Sequence, residues 1–165
     1  MKKIIFIRHG KAEEDSPGIS DFERSLTLRG KDVSRRMAIK LVEKEKSLGT
    51  LVTSTAFRAL ETALIFMGEY DINAEYLILN SRIYSGMSLR NLPSILSGIN
   101  EDTDVVTLFG HNPSFSQIAD NLSKEGCDFI PKSGVVCISF NILTWSEIKP
   151  DSGKIEYFLK PDNIL

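Results

Sequence analysis

Short apolar runs alternate with segments of helical periodicity along this chain, and the alternation restricts the fold more than any other feature. The apolar runs are bounded by turn residues and predict four buried strands, at residues 3–8, 50–54, 76–79 and 104–109. Helical spacing and capping residues predict the helices that follow them, at residues 27–48, 56–67, 88–96 and 112–124. Strands and helices that alternate in this way form a mostly parallel sheet covered on both faces. We therefore expect an α/β fold with three layers, in which helices cover both faces of one sheet.

The last part of the chain departs from this alternation. Two further strands, at residues 135–143 and 154–159, are predicted to form a hairpin joined through the turn at 151–153. They add an antiparallel element to the sheet. No internal repeat or interdomain linker interrupts the 165 residues, so we expect a single domain over residues 1–165.

Composition and sequence pattern argue against several classes of binding partner. The formal net charge is −2, which gives no bulk attraction to nucleic acid or to anionic membranes. No apolar run reaches membrane-spanning length, and the N-terminal residues lack the apolar core of a signal peptide. The two cysteines, Cys127 and Cys137, have neither metal-site nor redox-motif spacing and are expected to be reduced thiols. These features predict a cytoplasmic protein with no nucleic-acid or membrane partner.

Each of the chain's two histidines lies within two residues of the end of a predicted strand and is adjacent in sequence to a glycine. His9 lies between Arg8 and Gly10, and His111 follows Gly110 and opens a predicted helix. In open α/β sheets, ligands bind at the carboxyl ends of the strands. We therefore expect the two histidines to face one pocket.

Arginine side chains reach the same predicted edge and suit it to phosphate. Arg8 precedes His9, and Arg58 lies in the first turn of the helix that follows the second strand. Guanidinium groups match phosphate oxygens, and a neutral imidazole can attack phosphorus. Each residue also has an ordinary interpretation, such as a histidine bonded to backbone or an Arg58 paired with Glu61 or Glu69. The conjunction of four such groups at three strand ends favours a phosphate pocket.

Four ordered motifs carry a resemblance to a known family. They are Arg8-His9-Gly10, Leu26-Thr27-Leu28-Arg29-Gly30, the Ser-x-x-x-Arg-Ala-x-x-Thr element from Ser54 to Thr62, and Gly110-His111-Asn112-Pro113. In order and spacing they resemble the histidine phosphatase superfamily, with its phosphoglycerate-mutase-like fold. Lys11-Ala12, the stretch 21–27 and Pro131-Lys132-Ser133-Gly134 are similar to the SixA-type branch, the bacterial phosphohistidine phosphatases.

The resemblance implies a role for each matched residue. His9 would be the nucleophile that accepts the phosphoryl group, and Arg8, Arg58 and His111 would surround the phosphate. Gly10, Arg24 and Asn112 are further candidates for substrate contact. Nearby arginines should keep His9 neutral. No cofactor or metal is expected, because the arginines would supply the positive charge.

One element of the family pattern is missing. Many relatives carry a glutamate proton donor after the third strand, whereas residues 80–88 of this chain contain no carboxylate. The acidic residues of the loop after His9 could supply a proton or could be solvated surface: Glu13, Glu14, Asp15, Asp21 and Glu23. A phosphorylated imidazole depends less on an acid than an alkyl phosphate does. The sequence therefore favours a phosphatase of phosphohistidine proteins, with small phosphomonoesters as the alternative substrates. A non-catalytic phosphate-binding module is the alternative of a different class.

Overall fold

One six-stranded sheet forms the centre of the protein. A computed structural model describes residues 1–162. Its strands are β1 (Lys2–Arg8), β2 (Thr50–Thr53), β3 (Leu77–Leu79), β4 (Val105–Gly110), β5 (Val135–Phe140) and β6 (Lys154–Leu159). The strand order is β3-β2-β4-β1-β5-β6. Strands β1 to β4 pair in parallel, and β5 runs antiparallel to both β1 and β6. The predicted α/β class, with a mostly parallel sheet and an antiparallel element, is confirmed.

Five α-helices pack on the two faces of the sheet: α1 (Leu28–Lys44), α2 (Phe57–Glu69), α3 (Ser81–Gly86), α4 (Leu92–Leu96) and α5 (Ser114–Leu122). Strand β1 shows why two layers of helices are needed. Ile5 and Ile7 pack into the core under α1 and α2, whereas Ile4 and Phe6 pack into the core under α3 to α5. Because successive side chains of a strand point to opposite faces, an apolar run such as 4–7 must be covered on both faces.

The register of the central strands sets the position of the site. Arg8 at the end of β1 pairs with Gly110 at the end of β4, and Thr53 at the end of β2 pairs with Phe109. The three strands therefore end side by side. The residues that follow them, from His9, Ser54 and His111 onward, start from one edge of the sheet.

The ends of the first two helices differ from the prediction. Helix α1 stops at Lys44, not at Leu48, and Gly49 serves the turn into β2. Gly49 has φ +61°, and a Cβ there would lie 1.8 Å from the carbonyl oxygen of Val105. Helix α2 continues through Gly68 to Glu69. Contact with a distant strand, rather than local helix signals, decides where α1 ends.

The predicted helix at 88–96 is wrong in its first half. Its second half forms α4, and α3, which lies before the predicted segment, was not predicted. The Asn80 side chain caps α3 by accepting the backbone N–H of Arg82 at 3.0 Å. Ser88, the expected cap, instead donates its backbone N–H to the Asn91 side chain at 2.7 Å. Asparagine side chains thus compete with the helix for backbone groups.

Two later boundaries also change. Helix α5 begins at Ser114 rather than at Pro113, although the Asn112 side chain accepts the backbone N–H of Ser116 at 3.2 Å. Strand β5 ends at Phe140, and the long connection to β6 contains a 3₁₀ turn at Trp145–Glu147. The antiparallel pair is confirmed, but the tight hairpin is not. No helix among the described residues is long and apolar enough to cross a membrane. The predicted domain range includes residues 163–165, which lie outside the described residues.

Candidate active site

His9 is held with one ring nitrogen engaged and the other available. Its ring lies 2.7 Å from the carbonyl oxygen of Gly10, measured from Nδ1. A carbonyl can only accept, so Nδ1 carries the hydrogen and Nε2 keeps its lone pair. The backbone N–H of His9 donates to the Gly110 carbonyl at 3.0 Å, and the residue is only 8% exposed. His9 is therefore a rigid, neutral imidazole with a fixed tautomer.

His111 faces His9 across the strand ends, with 5.2 Å between the ring centroids. Its Nε2 lies 2.7 Å from the hydroxyl oxygen of Ser54, which also accepts the backbone N–H of Ala56 at 3.2 Å. Because a hydroxyl oxygen has two lone pairs, Ser54 can either accept a hydrogen from Nε2 or donate its own hydrogen to Nε2, and the tautomer with a protonated Nδ1 requires that it donates. In that arrangement Nδ1 of His111 carries a hydrogen, and this buried nitrogen has no partner in the structure.

The two predicted arginines are both partly tied to the fold. Arg8 donates from Nη1 to the Ile130 carbonyl at 3.0 Å, and its guanidinium lies over the Phe129 ring. Arg58, only 6% exposed, donates to the Asp21 carbonyl at 2.7 Å and to an Asp21 carboxylate oxygen at 3.1 Å. Pairing of Arg58 with Glu61 or Glu69, the ordinary interpretation, does not occur. The Nε hydrogen of each arginine is buried without a partner.

Three buried side-chain nitrogens around the two histidines lack hydrogen-bond partners among the described residues. They are Nε of Arg8, Nε of Arg58 and Nδ1 of His111. Buried donors are almost always hydrogen-bonded, because an unmade bond costs about 1–3 kcal/mol. An oxyanion with several acceptor oxygens fits this set of donors.

The histidines are neutral because of burial more than because of the arginines. Burial lowers the pKa of His9 to about 3; the Gly10 carbonyl opposes this, and the charges of His111, Arg58 and Arg8 add to it. Burial, followed by the charge of Arg58, lowers the pKa of His111 to about 4. Desolvation disfavours an imidazolium ion. The sequence predicts a neutral His9 because of the nearby arginines, whereas in the structure burial is the larger cause of its low pKa.

Only Asp21 of the acidic loop residues contacts a pocket side chain. Its carboxylate accepts hydrogen bonds from Arg24 at 2.7 and 3.1 Å, from Arg58 at 3.1 Å and from the Tyr84 hydroxyl at 3.0 Å. The bonds from Arg24, followed by those from Tyr84 and Arg58, lower the pKa of Asp21 to about 2. Asp21 is therefore an ionised carboxylate and holds no proton near neutral pH.

The other predicted residues lie at or beside the pocket. Gly10 follows His9, and a Cβ there would lie 2.5 Å from the Ser34 hydroxyl, so no larger residue fits. Arg24 reaches the pocket only through Asp21. Asn112 donates to the Ile130 carbonyl at 2.9 Å and accepts from Ser116. Both ends of its amide therefore serve the fold, and its contact with substrate stays a prediction.

Comparison with family models and with curated protein sequences finds no match. Solved structures do match. The SixA protein of Agrobacterium tumefaciens has a TM-score of 0.77 and 21% identity over 97% of this chain and 99% of its own. A protein histidine phosphatase SixA complexed with tungstate has a TM-score of 0.75 and 20% identity, over 96% and 97%. A mycobacterial glucosyl-3-phosphoglycerate phosphatase has a TM-score of 0.65 and 12% identity, over 94% and 97%.

The chain has the histidine phosphatase fold. These likenesses extend over nearly the whole chain, so the phosphoglycerate-mutase-like architecture predicted from four motifs is confirmed. In this chain the carboxyl ends of β1, β2 and β4 lie together and are followed by His9, Ser54 and His111.

Sequence reasoning missed two parts of this site. It placed Ser54 in a family motif and did not predict its hydrogen bond to His111. It also missed an aromatic wall formed by Phe22, Phe57 and Tyr84, in which the Phe22 ring lies 5.7 Å from Phe57 and 5.3 Å from Tyr84. The Tyr84 ring packs edge-on against His111 at 5.8 Å. The position of Tyr84 in the stretch where relatives carry a glutamate was the one available signal.

Proposed function

We propose that this protein is a metal-independent phosphatase that forms a phosphohistidine intermediate on His9. The observation that carries the proposal is the pairing of a free Nε2 on His9 with three buried nitrogens, on Arg8, Arg58 and His111, that lack hydrogen-bond partners. A phosphoryl group placed between them would meet a nucleophile on one side and donors around its oxygens. Geometry of this kind is most of what phosphoryl transfer requires.

In the first step, the lone pair of His9 Nε2 attacks phosphorus. The bond from phosphorus to the leaving group breaks, and the leaving group departs with the bonding electrons. Arg8, Arg58 and His111 donate to the three oxygens on which negative charge is spread. The Gly10 carbonyl holds the Nδ1 hydrogen of His9 and so stabilises the positive charge that the ring acquires.

In the second step, water hydrolyses the phosphohistidine. The water oxygen bonds to phosphorus, the bond from phosphorus to Nε2 breaks, and its electrons return to the imidazole. Inorganic phosphate leaves and neutral His9 is regenerated. The arginines carry the positive charge that a metal ion supplies in other phosphatases. Among residues 1–162 there is no cluster of three or more side chains suited to hold a metal ion.

The substrate we favour is a protein that carries phosphohistidine. Among residues 1–162, Asp21 is the one carboxylate with a hydrogen bond to Arg58, and its hydrogen bonds hold it ionised. Tyr84, which lies in the expected place of an acid, has a pKa raised by desolvation and by Asp21. A site without a ready proton favours leaving groups that depart easily. The imidazole of phosphohistidine is such a group, and an alkoxide is not.

A small phosphomonoester is the second candidate. The observation in its favour is the likeness to a mycobacterial glucosyl-3-phosphoglycerate phosphatase, whose named substrate is small. The non-catalytic alternative has less support, because His9 is neutral and has a free nitrogen. The cytoplasmic location and the absence of a cofactor and of nucleic-acid or membrane partners stay predictions.

A substrate series separates these candidates. A phosphohistidine protein, phenyl phosphate and a hexose 6-phosphate would be compared by kcat/KM at pH 7, with His9→Asn as the inactive control. Because general-acid catalysis contributes about 10²–10⁴-fold, the hexose phosphate should be slower than the phosphohistidine protein by at least about 100-fold. Equal rates would refute the phosphohistidine assignment. Phosphate binding without turnover of any substrate would establish the non-catalytic module.

A further inference from the structure

A basic groove adjoins the phosphoryl pocket. It has a volume of about 350 Å³ and is lined by Lys11, Arg29, Val33, Lys132, Ser133 and Pro161. Three of these six residues are cationic and none is acidic. The groove is open to solvent at its Lys11 and Arg29 side, where both side chains are exposed. The chain as a whole has more acidic than basic residues, 22 against 20, so the charge of the groove is a local feature.

The backbone fixes Lys132 beside the pocket. Its neighbour Ser133 has φ +60° and is only 1% exposed. The backbone N–H of Ser133 lies 3.1 Å from the carbonyl oxygen of Arg8 and 3.2 Å from that of His9. The backbone N–H of Arg8 in turn donates to the Gly134 carbonyl at 3.1 Å. A left-handed backbone at a non-glycine residue is strained and persists only where its surroundings hold it.

The backbone of Lys11 is fixed from the other side. Its carbonyl oxygen accepts the backbone N–H of Thr27 at 2.9 Å, next to the start of α1. Gly30 packs so closely that a Cβ there would lie 2.1 Å from the same oxygen. Because Lys11 follows Gly10 directly, its position relative to His9 is set by two short, rigid segments. The groove and the pocket therefore keep a constant spacing.

The two lysines of the groove are not neutralised by acidic residues in the described part of the chain. Neither Lys11 nor Lys132 forms an ion pair with any residue between 1 and 162. Burial, together with the charges of Arg8, Lys11 and Arg24, lowers the pKa of Lys132. The same charges that oppose one another in the free protein would attract an anion.

We propose that this groove binds a second anionic group, a carboxylate or a phosphate, on the same substrate whose phosphoryl group is transferred to His9. The inference rests on the proposed function and names its substrate class more closely. Lys11 and Lys132 would contact the second anion directly, while Arg8 remains with the phosphoryl group. The second anion could belong to a small molecule or to an acidic side chain next to the phosphorylated residue of a protein.

Two pairs of substrates test the proposal. In the small-molecule pair, 3-carboxyphenyl phosphate is compared with phenyl phosphate. In the peptide pair, a phosphohistidine peptide with flanking aspartates is compared with one with flanking asparagines. The quantity measured is the ratio of kcat/KM within a pair, for the native protein and for the double variant Lys11→Gln/Lys132→Gln. The double variant Lys124→Gln/Lys149→Gln removes the same charge from exposed sites away from the groove.

We expect the native protein to prefer the substrate with the second anion by about tenfold in at least one pair. Exposed charge pairs contribute modestly, so two lysines account for an effect of this size. The groove variant should reduce the ratio to near one, and the control variant should leave it unchanged. The preference should also weaken as salt rises. Preference in the small-molecule pair would identify a metabolite, and preference in the peptide pair would identify a protein.

The proposal would be overturned by a ratio near one in both pairs, or by a preference that the groove variant retains. Thermal unfolding of both double variants establishes that they are folded, and neither should change by more than a few degrees because the lysines have no ion-pair partners. Failure of the proposed function gives a different result, namely no turnover of any of the four substrates.

Discussion

Replacement of Asp21 by asparagine should increase the affinity of the pocket for phosphate. In the free protein, Asp21 is the anion that Arg58 contacts, at 3.1 Å. The substitution keeps the shape of the side chain and removes its charge, so Arg58 no longer divides its attraction between Asp21 and a bound phosphate. The Asp21 side chain is 48% exposed, and solvent screens the interaction to about 1 kcal/mol. That energy corresponds to a Kd for phosphate that is lower by about fivefold.

The same substitution should destabilise the free protein. Hydrogen bonds from Arg24, Tyr84 and Arg58 lower the pKa of Asp21 to about 2, so the folded state favours the carboxylate. The resulting stabilisation is present above the unfolded pKa near 4 and is lost as the pH falls towards 2. At pH 7 Asp21→Asn lacks it. After allowance for exposure, the loss is about 1 kcal/mol, or a decrease in Tm of about 2–4 °C.

Calorimetric titration with phosphate and thermal unfolding with and without phosphate measure both effects. Saturating phosphate should raise the Tm of Asp21→Asn by more than that of the native protein, because ligand stabilisation grows with affinity. Glu14→Gln is the matched control: it removes one exposed charge from the same loop and should change neither quantity. Unchanged or weaker phosphate affinity in Asp21→Asn would refute the reasoning and show that Asp21 orients Arg58 instead of competing for it.

Three further predictions concern the effect of the buried histidines on stability at low pH, the hydrogen bond between Ser54 and His111, and the packing at two glycines. Because burial lowers the pKa of His9 to about 3 and of His111 to about 4, the unfolded chain binds more protons than the folded one between pH 4 and 6.5. The free energy of unfolding in urea should therefore fall, by up to about 1.4 kcal/mol per pH unit for each histidine, as the pH decreases through that range; a flat profile would contradict their burial. Ser54→Ala should lower kcat by about tenfold with little change in KM, because it frees the His111 tautomer, whereas Ser54→Thr should retain activity; an unchanged kcat would remove this role. In thermal unfolding, Gly68→Ala should stabilise the folded protein by about 1 kcal/mol, since a Cβ at Gly68 meets nothing within 4 Å. Gly30→Ala should destabilise it by more than about 2 kcal/mol, since a Cβ at Gly30 would lie against the backbone of Lys11. Equal effects of the two substitutions would contradict the close packing at Gly30.

The sheet could be predicted because its signals are local. Residues 4–7 are apolar on both faces, and each of the first four strands is bounded by turn residues. The incorrect predictions lie where contacts between residues distant in sequence determine the local structure. Gly49 is a helix stop by local rules, but its place against the backbone of Val105 makes it part of the turn into β2. Asn80 caps α3, which was not predicted, and Asn91 accepts the backbone N–H of Ser88, so the helix predicted from Ser88 begins only at Leu92.

In the candidate site, too, the features with local signals could be predicted and those that depend on distant contacts could not. Arg8 ends a strand, and His9, Arg58 and His111 lie within five residues after one, so the topology alone brings them to one edge of the sheet. The role of Asp21 could not be foreseen. Five acidic residues lie in the loop after His9, and only the folded path of that loop selects the one that contacts Arg58 and Tyr84. The bond between Ser54 and His111 likewise depends on the register of β2 against β4.

Capture of a phosphorylated enzyme tests the central claim most directly. The protein would be mixed with a ³²P-labelled substrate, quenched within milliseconds and digested, and the labelled peptide sequenced. The account predicts an acid-labile, alkali-stable phosphoryl group on His9, formed and lost at rates that match turnover, and no label in a folded His9→Asn variant. Turnover by the native protein with no label on His9, or full activity in His9→Asn, would contradict it.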